Sequence, residues 1–341
     1  GSMAMWQLAR RGVSVIGFEQ FGIGHDRGAA GGDTRIFRTS YKEGPDYVPI
    51  LLEAYKEWRQ LEKETGQDLL TITEGLMIDD QDSEAMKNVL QSIEDYQLEH
   101  RILSKEEAEK EFPQHRLASN EKVVVDKQAG FVRSQLAILA AATRAEALGA
   151  VVHSHSPVEK IEEKPDGNGV TIVANGKEYT VGSVIITVGP WINEVYPAFR
   201  HNIEVRRLIG TWFPAKQMAP FSPDQFPVFT RKSGEISYYG IPSIDGTMVK
   251  VSFSPKKINV EKTAELNKKV TTEELDIGRH IVKHNFRGLY SEPNRINTYM
   301  EGYTSDGHPI IGKIPGKERI IISGGFSGHG FKLAPIIGQL A

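Results

Sequence analysis

The residues best suited to chemistry lie in one glycine-rich run near the end of the chain, from Gly324 to Lys332. The run follows an apolar, strand-like segment, Arg319 to Ser323, and precedes a helix-like segment that begins at Leu333. Small residues in a strand-to-helix turn let backbone N–H groups approach a planar, electron-rich ligand closely. Lys332 adds a positive charge, so the turn is suited to the anionic edge of a reduced flavin, to a substrate carboxylate, or to both. A glycine-rich turn with one solvated lysine is the alternative.

Two further clusters carry groups that could act beside such a ligand. Arg35 and Arg38 are three residues apart, and arginine offers a planar fork that matches a carboxylate and stays charged when partly buried. Tyr239 and Lys250 lie on two nearby candidate strands, where a buried lysine beside a flavin would assist the reduction of oxygen. The alternatives are a solvated ion-pair cluster for the arginines, core packing for Tyr239 and an exposed strand position for Lys250.

Composition excludes several classes of site. The 341 residues suggest two domains, and the 39% hydrophobic and 25% charged residues are ordinary for a globular enzyme. A net charge of -3 without a long basic run argues against nucleic acid, and no apolar run reaches the ~18 residues that span a bilayer. The chain has no cysteine, which excludes disulfides, thiolate metal sites and a cysteine nucleophile. We therefore expect a cytoplasmic protein without a metal site.

The first residues have the pattern of the second half of a βαβ dinucleotide-binding unit. A helix that is already under way at Ala4 ends at Gly12, and a strand from Val13 to Phe18 leads into Glu19. If Gly1 is the third glycine of a G-x-G-x-x-G fingerprint, the first strand and the first two glycines lie upstream of it. Glu19, near the expected spacing of about 20 residues, would then bind the ribose hydroxyls. An ordinary amphipathic helix before a strand is the alternative.

Local signals predict further elements of an α/β fold. They include a helix over Asp46–Glu64 stopped by Gly66, a capping box at Ser104 and Glu107, a helix over Leu136–Leu148 capped by Ser134, a hairpin around Asn175–Gly176, and helical structure over 262–286. Parallel-type β/α units at both ends with an antiparallel region between them predict a Rossmann-type domain interleaved with a sheet-rich substrate domain. The predicted division is 1–70, 131–204 and 306–341 for the cofactor domain, and 71–130 and 205–305 for the substrate domain.

In their order, five motifs resemble those of the monomeric sarcosine oxidase and N-methyltryptophan oxidase family, within the D-amino-acid oxidase superfamily. They are Gly32–Arg38, Tyr47–Pro49, Gly130–Ser134, Tyr238–Pro242 and Gly325–Lys332. The resemblance implies a glutathione-reductase-type FAD domain and an antiparallel substrate domain. It also implies oxidation of N-methyl or other secondary amino acids to imines, with molecular oxygen as the acceptor and hydrogen peroxide as a product. The expected partners are a small amino acid and oxygen, in a monomer or small homo-oligomer.

The resemblance implies a role for individual residues. Arg38 and Lys332 would hold the substrate carboxylate from opposite sides in a pocket lined by Tyr239, and Lys250 would activate oxygen over the flavin. The groups that act in catalysis would be Lys250, Arg35 and His329. The residues that bind FAD would be Gly1, Glu19, Thr34, Arg35, Val158, Gly189, Trp191, Gly325, Phe326, Gly328, His329, Gly330 and Lys332.

The chain departs from the family at three positions. Family members attach FAD through a cysteine, and an ungapped comparison puts Tyr299 opposite it, so FAD should be held non-covalently. Glu301 stands where the family has a tyrosine, and Ser254 where a pocket histidine is usual. These departures leave other substrates open: a glycated (Amadori-type) amino acid, a primary amino acid such as glycine, or a bulkier N-methyl amino acid. A dehydrogenase with a non-oxygen acceptor and a flavin-fold binding protein without turnover are further alternatives.

Overall fold

The computed structural model describes residues 1–253 and 257–340, so Ser254 lies outside the described residues. The described residues form eight α-helices and nineteen β-strands. The helices are α1 (Ser2–Arg10), α2 (Val48–Thr65), α3 (Glu84–Tyr96), α4 (Lys105–Glu111), α5 (Ser134–Ala147), α6 (Ile192–Val195), α7 (Thr272–Asn285) and α8 (Ala334–Leu340). The strands are β1 (Ile16–Phe18), β2 (Thr34–Phe37), β3 (Leu70–Ile72), β4 (Gly75–Asp80), β5 (His100–Leu103), β6 (Glu121–Asp126), β7 (Gly130–Arg133), β8 (Val151–His153), β9 (Val158–Glu163), β10 (Val170–Ala174), β11 (Lys177–Val181), β12 (Val184–Ile186), β13 (Glu204–Phe213), β14 (Val228–Ser233), β15 (Ile236–Ile241), β16 (Val249–Phe253), β17 (Arg295–Tyr303), β18 (Ile310–Lys313) and β19 (Ile320–Gly324).

Two parallel strand pairs and three packed helices form the α/β part of the fold. β1 pairs in parallel with β8, and β12 with β19. α1 contacts both α5 and α8, and it buries Trp6 completely. A Cβ at Gly338 of α8 would lie 2.6 Å from the backbone of Met3, so glycine allows the close approach of α8 to α1. Because the carboxyl ends of parallel strands meet at one edge, the segments that follow β12 and β19 lie side by side.

One large sheet carries several of the predicted site residues. Its eight strands run in the order β17-β13-β16-β15-β14-β4-β6-β5. All neighbours in it are antiparallel except β14 and β4, which are parallel. Strands β15, β16 and β17 present Tyr239, Lys250 and Glu301. An aromatic-rich core fixes the sheet and includes Phe213, Phe221, Phe226, Phe229, Phe253 and Phe286.

Several sequence-based predictions of local structure are confirmed. The second helix ends at Gly66, whose φ of +67° is left-handed. The capping box of Ser104 and Glu107 is formed at α4. Asn175 and Gly176 make the turn between β10 and β11, with φ of +50° and +68°. These signals are local, so the packing of the rest of the chain does not override them.

Three boundaries differ from the predictions. The first strand is paired only over β1, not from Val13. Ser134 does not cap α5 but lies inside it, and its hydroxyl donates to the carbonyl of Ala30 at 2.7 Å. The helix predicted over 262–286 is shorter, because a capping box of Thr271 and Glu274 starts α7 only at Thr272. A hydrogen bond or a cap competes at each boundary: the N–H of Val13 donates to the carbonyl of Leu8 at 3.1 Å, Ser134 bonds Ala30, and Thr271 caps α7.

None of the helices in the described ranges is long and apolar enough to cross a membrane. The same ranges hold no group of three or more His, Cys, Asp or Glu side chains arranged to bind a metal ion. The division of the chain into a cofactor domain and a substrate domain at the predicted boundaries stays a prediction.

Candidate active site

A buried carboxylate fixes the loop that carries the second arginine. Arg38 follows β2 directly, and the next residues turn back across the end of β6. Asp126, at that end, is 1% exposed and accepts the backbone N–H groups of Thr39 at 2.7 Å and Ser40 at 2.8 Å. It also accepts both hydroxyls. These bonds hold the backbone between Arg38 and Tyr41, so the sequence-distant Asp126 helps to determine where the arginine lies.

Arg38 and Lys332 lie on the same aromatic ring. Arg38 is 4% exposed, and its Cζ lies 4.9 Å from the centre of the Tyr41 ring. Lys332 is 6% exposed, with Nζ 5.4 Å from that centre. Arg38 Nη2 donates to both carboxylate oxygens of Glu43, at 2.9 and 2.7 Å. Arg38 and Lys332 are thus two buried cations at the Tyr41 ring, and the Glu43 carboxylate pairs with the first of them.

Charge within this cluster shifts two pKa values. Burial alone would raise the pKa of Glu43, but Arg38, Lys42 and Lys332 outweigh it and lower this pKa to about 2. Burial and the nearby Arg38 lower the pKa of Lys332 to about 7, although Glu43 acts in the opposite direction. Near neutral pH, Glu43 is therefore charged while Lys332 is close to its titration midpoint.

His329 takes part in a chain of hydrogen bonds that fixes its protonation. Its Nε2 lies 2.9 Å from the carbonyl of Gly307, which can only accept, so Nε2 donates. Burial lowers the pKa of His329, which favours the neutral ring. Its Nδ1 therefore accepts from the hydroxyl of Tyr41 at 2.9 Å. That hydroxyl in turn accepts from Lys332 Nζ at 3.3 Å. Both ring nitrogens are engaged, which argues against a free catalytic base.

Lys250 is buried between carbonyls and aromatic rings. It is 3% exposed, and its Nζ donates to the carbonyls of Gly32 at 2.8 Å and Thr34 at 3.0 Å. The ring centres of Trp212 and Tyr239 lie 5.3 and 5.9 Å from Nζ. Over the described ranges of the chain, Lys250 forms no salt bridge. Burial, followed by the nearby Arg35, lowers the pKa of Lys250 well below its usual value.

Arg35 is bound to backbone carbonyls of its own segment, and its charge acts on two groups of the site. Its guanidinium donates to the carbonyls of Thr34, at 2.6 Å, and Ala29. Its charge acts on the pKa of Lys250 and also on that of Glu301. The structure therefore shows the first arginine as a group tied to backbone carbonyls rather than a solvated ion-pair partner.

The glycine-rich turn lies across the end of β17. Ser327 N–H donates to the carbonyl of Gly302 at 3.0 Å, and Gly328 N–H donates to Glu301 Oε1 at 2.9 Å. Ser327 and Gly328 have φ of +52° and +89°. A Cβ at Gly330 would lie 2.4 Å from the Phe326 side chain, so only glycine fits there. These hydrogen bonds fix the turn on β17. Three residues of the turn, Phe326, His329 and Lys332, lie close to Tyr41.

The residues predicted for the adenosine end form a second cluster. The Glu19 carboxylate accepts the N–H of Phe21 at 2.8 Å and lies 3.6 Å from His25 Nε2. The Trp191 ring packs on Phe21 and His25, with ring centres 5.5 and 5.8 Å apart. Gly189, with φ of +55°, starts the short 3-10 turn that ends at Trp191.

The other two residues predicted for this part of the cofactor are Val158 and Gly1. Val158 opens β9, two residues after Ser156, whose N–H donates to the backbone carbonyl of Glu19 at 2.8 Å. Gly1 is the N-cap residue of α1, and no side chain of the described residues caps that end of the helix. A Cβ at Gly1 would lie 3.1 Å from Thr187 Oγ1. The uncapped end of α1 thus lies close to the segment that follows β12.

The donor set of these clusters fits FAD. The uncapped N–H groups at the start of α1 suit a pyrophosphate, and the Glu19 carboxylate suits ribose hydroxyls. Lys250 and Lys332 are buried amines, and in their protonated forms they supply positive charge of the kind that favours a reduced, anionic ring. With no cysteine in the chain, a thioether to the ring cannot form.

Several residues of the site were not predicted from the sequence. Tyr41 and Glu43 carry no periodic or motif signal beyond following Arg38 in a loop, and Trp212 lies in a range, 205–305, that was predicted only as part of the sheet-rich domain. Tyr299, noted only as a departure, packs on a pair of glycines, since a Cβ at Gly31 would lie 2.5 Å from its ring. Over the described part of the chain, the Tyr299 hydroxyl is buried without a hydrogen-bond partner.

Comparison with known proteins identifies the family of the chain. The sequence model of a family described as FAD dependent oxidoreductase (DAO) matches residues 1–341. Monomeric sarcosine oxidase of Streptomyces avermitilis is 32% identical over 100% of this chain and 89% of its own length. N-methyl-L-tryptophan oxidase of Yersinia pestis is 27% identical over 100% of this chain and 91% of its own length. The structure of NikD, described as an unusual amino acid oxidase, has a TM-score of 0.87 at 17% identity and covers 99% of this chain and 89% of NikD. The predicted family resemblance and fold class are confirmed.

Proposed function

Because the chain belongs to the FAD dependent oxidoreductase family, we propose that it oxidises a small secondary amino acid of the N-methyl type and passes the electrons to molecular oxygen. The products are hydrogen peroxide and an imine, which water converts to formaldehyde and an amino acid. The activities named for the sarcosine and N-methyltryptophan oxidase relatives support this substrate class. The relative from Streptomyces avermitilis is named a monomeric sarcosine oxidase, which supports a monomer for this chain. A small homo-oligomer is the alternative.

The observation that carries the proposal is an N–H group of the Arg38 guanidinium that has no acceptor. Arg38 Nε is buried without a hydrogen-bond partner in the described residues, although Nη2 is paired with Glu43. A buried N–H without an acceptor is costly, so this edge of the guanidinium favours an incoming anion. A substrate carboxylate bound between Arg38 and Lys332 would satisfy Nε and meet a second positive charge. Each hydrogen bond of this kind is worth roughly 1.5–3 kcal/mol.

When bound, FAD supplies the oxidising chemistry, since it takes a hydride equivalent from the substrate and gives two electrons to oxygen. Lys250 holds a fixed N–H donor group, because two backbone carbonyls orient its Nζ. Its positive charge stabilises the negative charge that develops on oxygen. Burial lowers the pKa of Lys250, so its protonated form also gives up a proton more readily than free lysine.

Tyr41 and His329 act as positioning groups in this account. The hydroxyl of Tyr41 accepts from Lys332 and donates to His329, so it fixes the direction of the ammonium. His329 donates from Nε2 to the carbonyl of Gly307 and accepts at Nδ1 from Tyr41, so neither ring nitrogen is free for proton transfer. The ring centre of Tyr239 lies 5.9 Å from Lys250 Nζ, and this ring lines the pocket on the side of the large sheet.

A panel of amines tests the proposal. The FAD-bound chain is mixed in air with N-methylglycine, bulkier N-methyl amino acids, glycine and a glycated amino acid, and peroxide and formaldehyde are measured. We expect both products from N-methyl amino acids, and we expect Arg38→Ala to need a much higher substrate concentration. Peroxide from only the glycated or primary amino acids would overturn the substrate class. Turnover with an added dye but not with oxygen would overturn the acceptor.

A further inference from the structure

Glu301 is a carboxylate at the site that the proposed reaction does not yet use. It lies on β17, on the same face as Tyr299 and Tyr303, because side chains alternate along a strand. Its Oε1 accepts the N–H of Gly328 from the glycine-rich turn at 2.9 Å. Counting only the described residues, this is its single hydrogen bond, and it forms no salt bridge. The second oxygen, Oε2, is therefore free to accept from a ligand.

The surrounding cations do not neutralise this carboxylate by direct pairing. Arg206 stands directly opposite Glu301 on β13. Its guanidinium is engaged elsewhere, because Nε donates to Glu204 at 2.6 Å and Cζ lies 4.3 Å from the Tyr303 ring centre. The charges of Lys332 and Arg35 act on Glu301, but burial outweighs them and raises its pKa. Glu301 thus stays an unpaired acceptor whose basicity exceeds that of an exposed glutamate.

We propose that Glu301 binds the ammonium group of the substrate and takes its proton, so that the amine is neutral when its C–H bond is oxidised. This inference rests on the proposed function. The transfer is balanced without a redox step: one N–H bond of the ammonium breaks, one O–H bond forms on the carboxylate, and the electron pair stays on nitrogen. Arg38 and Lys332 bind the carboxylate end while Glu301 binds the cationic end. The pocket therefore selects zwitterionic amino acids over carboxylates that lack an amine.

The variant Glu301→Gln separates this role from support of the turn. A glutamine oxygen still accepts the N–H of Gly328, so the turn keeps its bond, whereas the charge and the base are lost. Two readouts are compared in the FAD-bound protein. The first is the binding of (methylthio)acetate, a carboxylate without an amine, which is measured by the change in flavin absorbance. The second is the anaerobic rate of flavin reduction by N-methylglycine as a function of pH.

We expect the variant to bind (methylthio)acetate at least as tightly as the wild type, because a negative charge has been removed. Near neutral pH we expect its rate of flavin reduction to fall by about 10-fold or more, as for loss of a positioned base. The deficit should narrow above about pH 10, where the free amine prevails in solution. Glu301→Asp should recover part of the rate. Glu292→Gln, which changes an exposed carboxylate paired with Arg279, is the matched control and should behave as the wild type.

The outcomes distinguish the inference from the proposal on which it rests. If N-methylglycine reduces the flavin of the wild type and of Glu301→Gln at the same rate, the inference fails while the proposed function stands. Equal weakening of both readouts at every pH also overturns it, because that pattern indicates support of the turn. If no secondary amino acid reduces the wild-type flavin, the proposed function fails, and the role of Glu301 fails with it.

Discussion

The carboxylate of Glu43 lies 2.7 and 2.9 Å from Nη2 of Arg38, so a carboxylate of the chain itself already pairs with the group assigned to the substrate. The arginine is almost completely buried, whereas a quarter of the Glu43 side chain, 24%, is exposed. Glu43 can therefore move toward solvent more easily than Arg38 can. An incoming carboxylate either displaces Glu43 or binds beside it at Nε.

The first prediction concerns this competition. Glu43→Gln should bind (methylthio)acetate more tightly by about 5- to 10-fold, or about 1–1.4 kcal/mol, because the ligand no longer competes with an ion pair. The free variant should also unfold at a lower temperature, because Arg38 loses its buried partner. Titration and thermal unfolding with and without ligand measure both effects. Glu53→Gln, in an exposed pair with Lys56, is the control. Weaker binding would mean that Glu43 assists the ligand instead.

The second prediction concerns the buried carboxylate that holds the arginine loop. Asp126→Asn should lower the free energy of unfolding by about 2–4 kcal/mol, because an amide accepts fewer of the bonds from Thr39 and Ser40. Binding of (methylthio)acetate should weaken as well, since Arg38 loses its fixed position. Urea unfolding and ligand titration measure the two effects, with the exposed Asp82→Asn as the control. A destabilised variant with unchanged affinity would contradict the positioning role.

The third prediction is a pH dependence. The pKa of Lys332 is about 7, and only its protonated form attracts a carboxylate. Affinity for (methylthio)acetate should therefore be high below pH 7 and fall as the pH rises through that value. Ionisation of Glu301 would also lower the affinity as the pH rises. Two variants therefore separate the contribution of Glu301 from that of Lys332. Lys332→Gln should remove the step near neutral pH, whereas Glu301→Gln should keep it. An affinity that rises with pH would contradict the assignment.

The fourth prediction concerns the lysine between the carbonyls. Lys250→Met should slow the reaction of the reduced enzyme with oxygen by about 100-fold or more, because the fixed charge is lost. Anaerobic reduction by the substrate should change little. Stability should be retained or increased, because an apolar side chain replaces a buried amine that has no salt bridge among the described residues. Lys262→Met, at a highly exposed position, is the control. Equal slowing of both half-reactions would refute the role.

The parts of the site with local signals could be predicted from the sequence, and the parts that depend on folding could not. The turn up to Lys332 follows from its glycines, and the pair of Arg35 and Arg38 follows from their spacing. The pairing of Arg38 with Glu43 depends on the path of a loop, which Asp126 fixes from about ninety residues away. The free oxygen of Glu301 depends on the direction taken by a cross-strand arginine. No pattern in the sequence contains those contacts.

The most direct measurement is anaerobic mixing of the FAD-bound chain with N-methylglycine while the visible absorbance of the flavin is followed. The account predicts that the absorbance bleaches and that formaldehyde and glycine appear in amounts matching the flavin. It also predicts that Arg38→Ala reaches the same end point only at substrate concentrations about 10- to 100-fold higher. A flavin that stays oxidised with every N-methyl amino acid, yet is reduced by dithionite, would contradict the account.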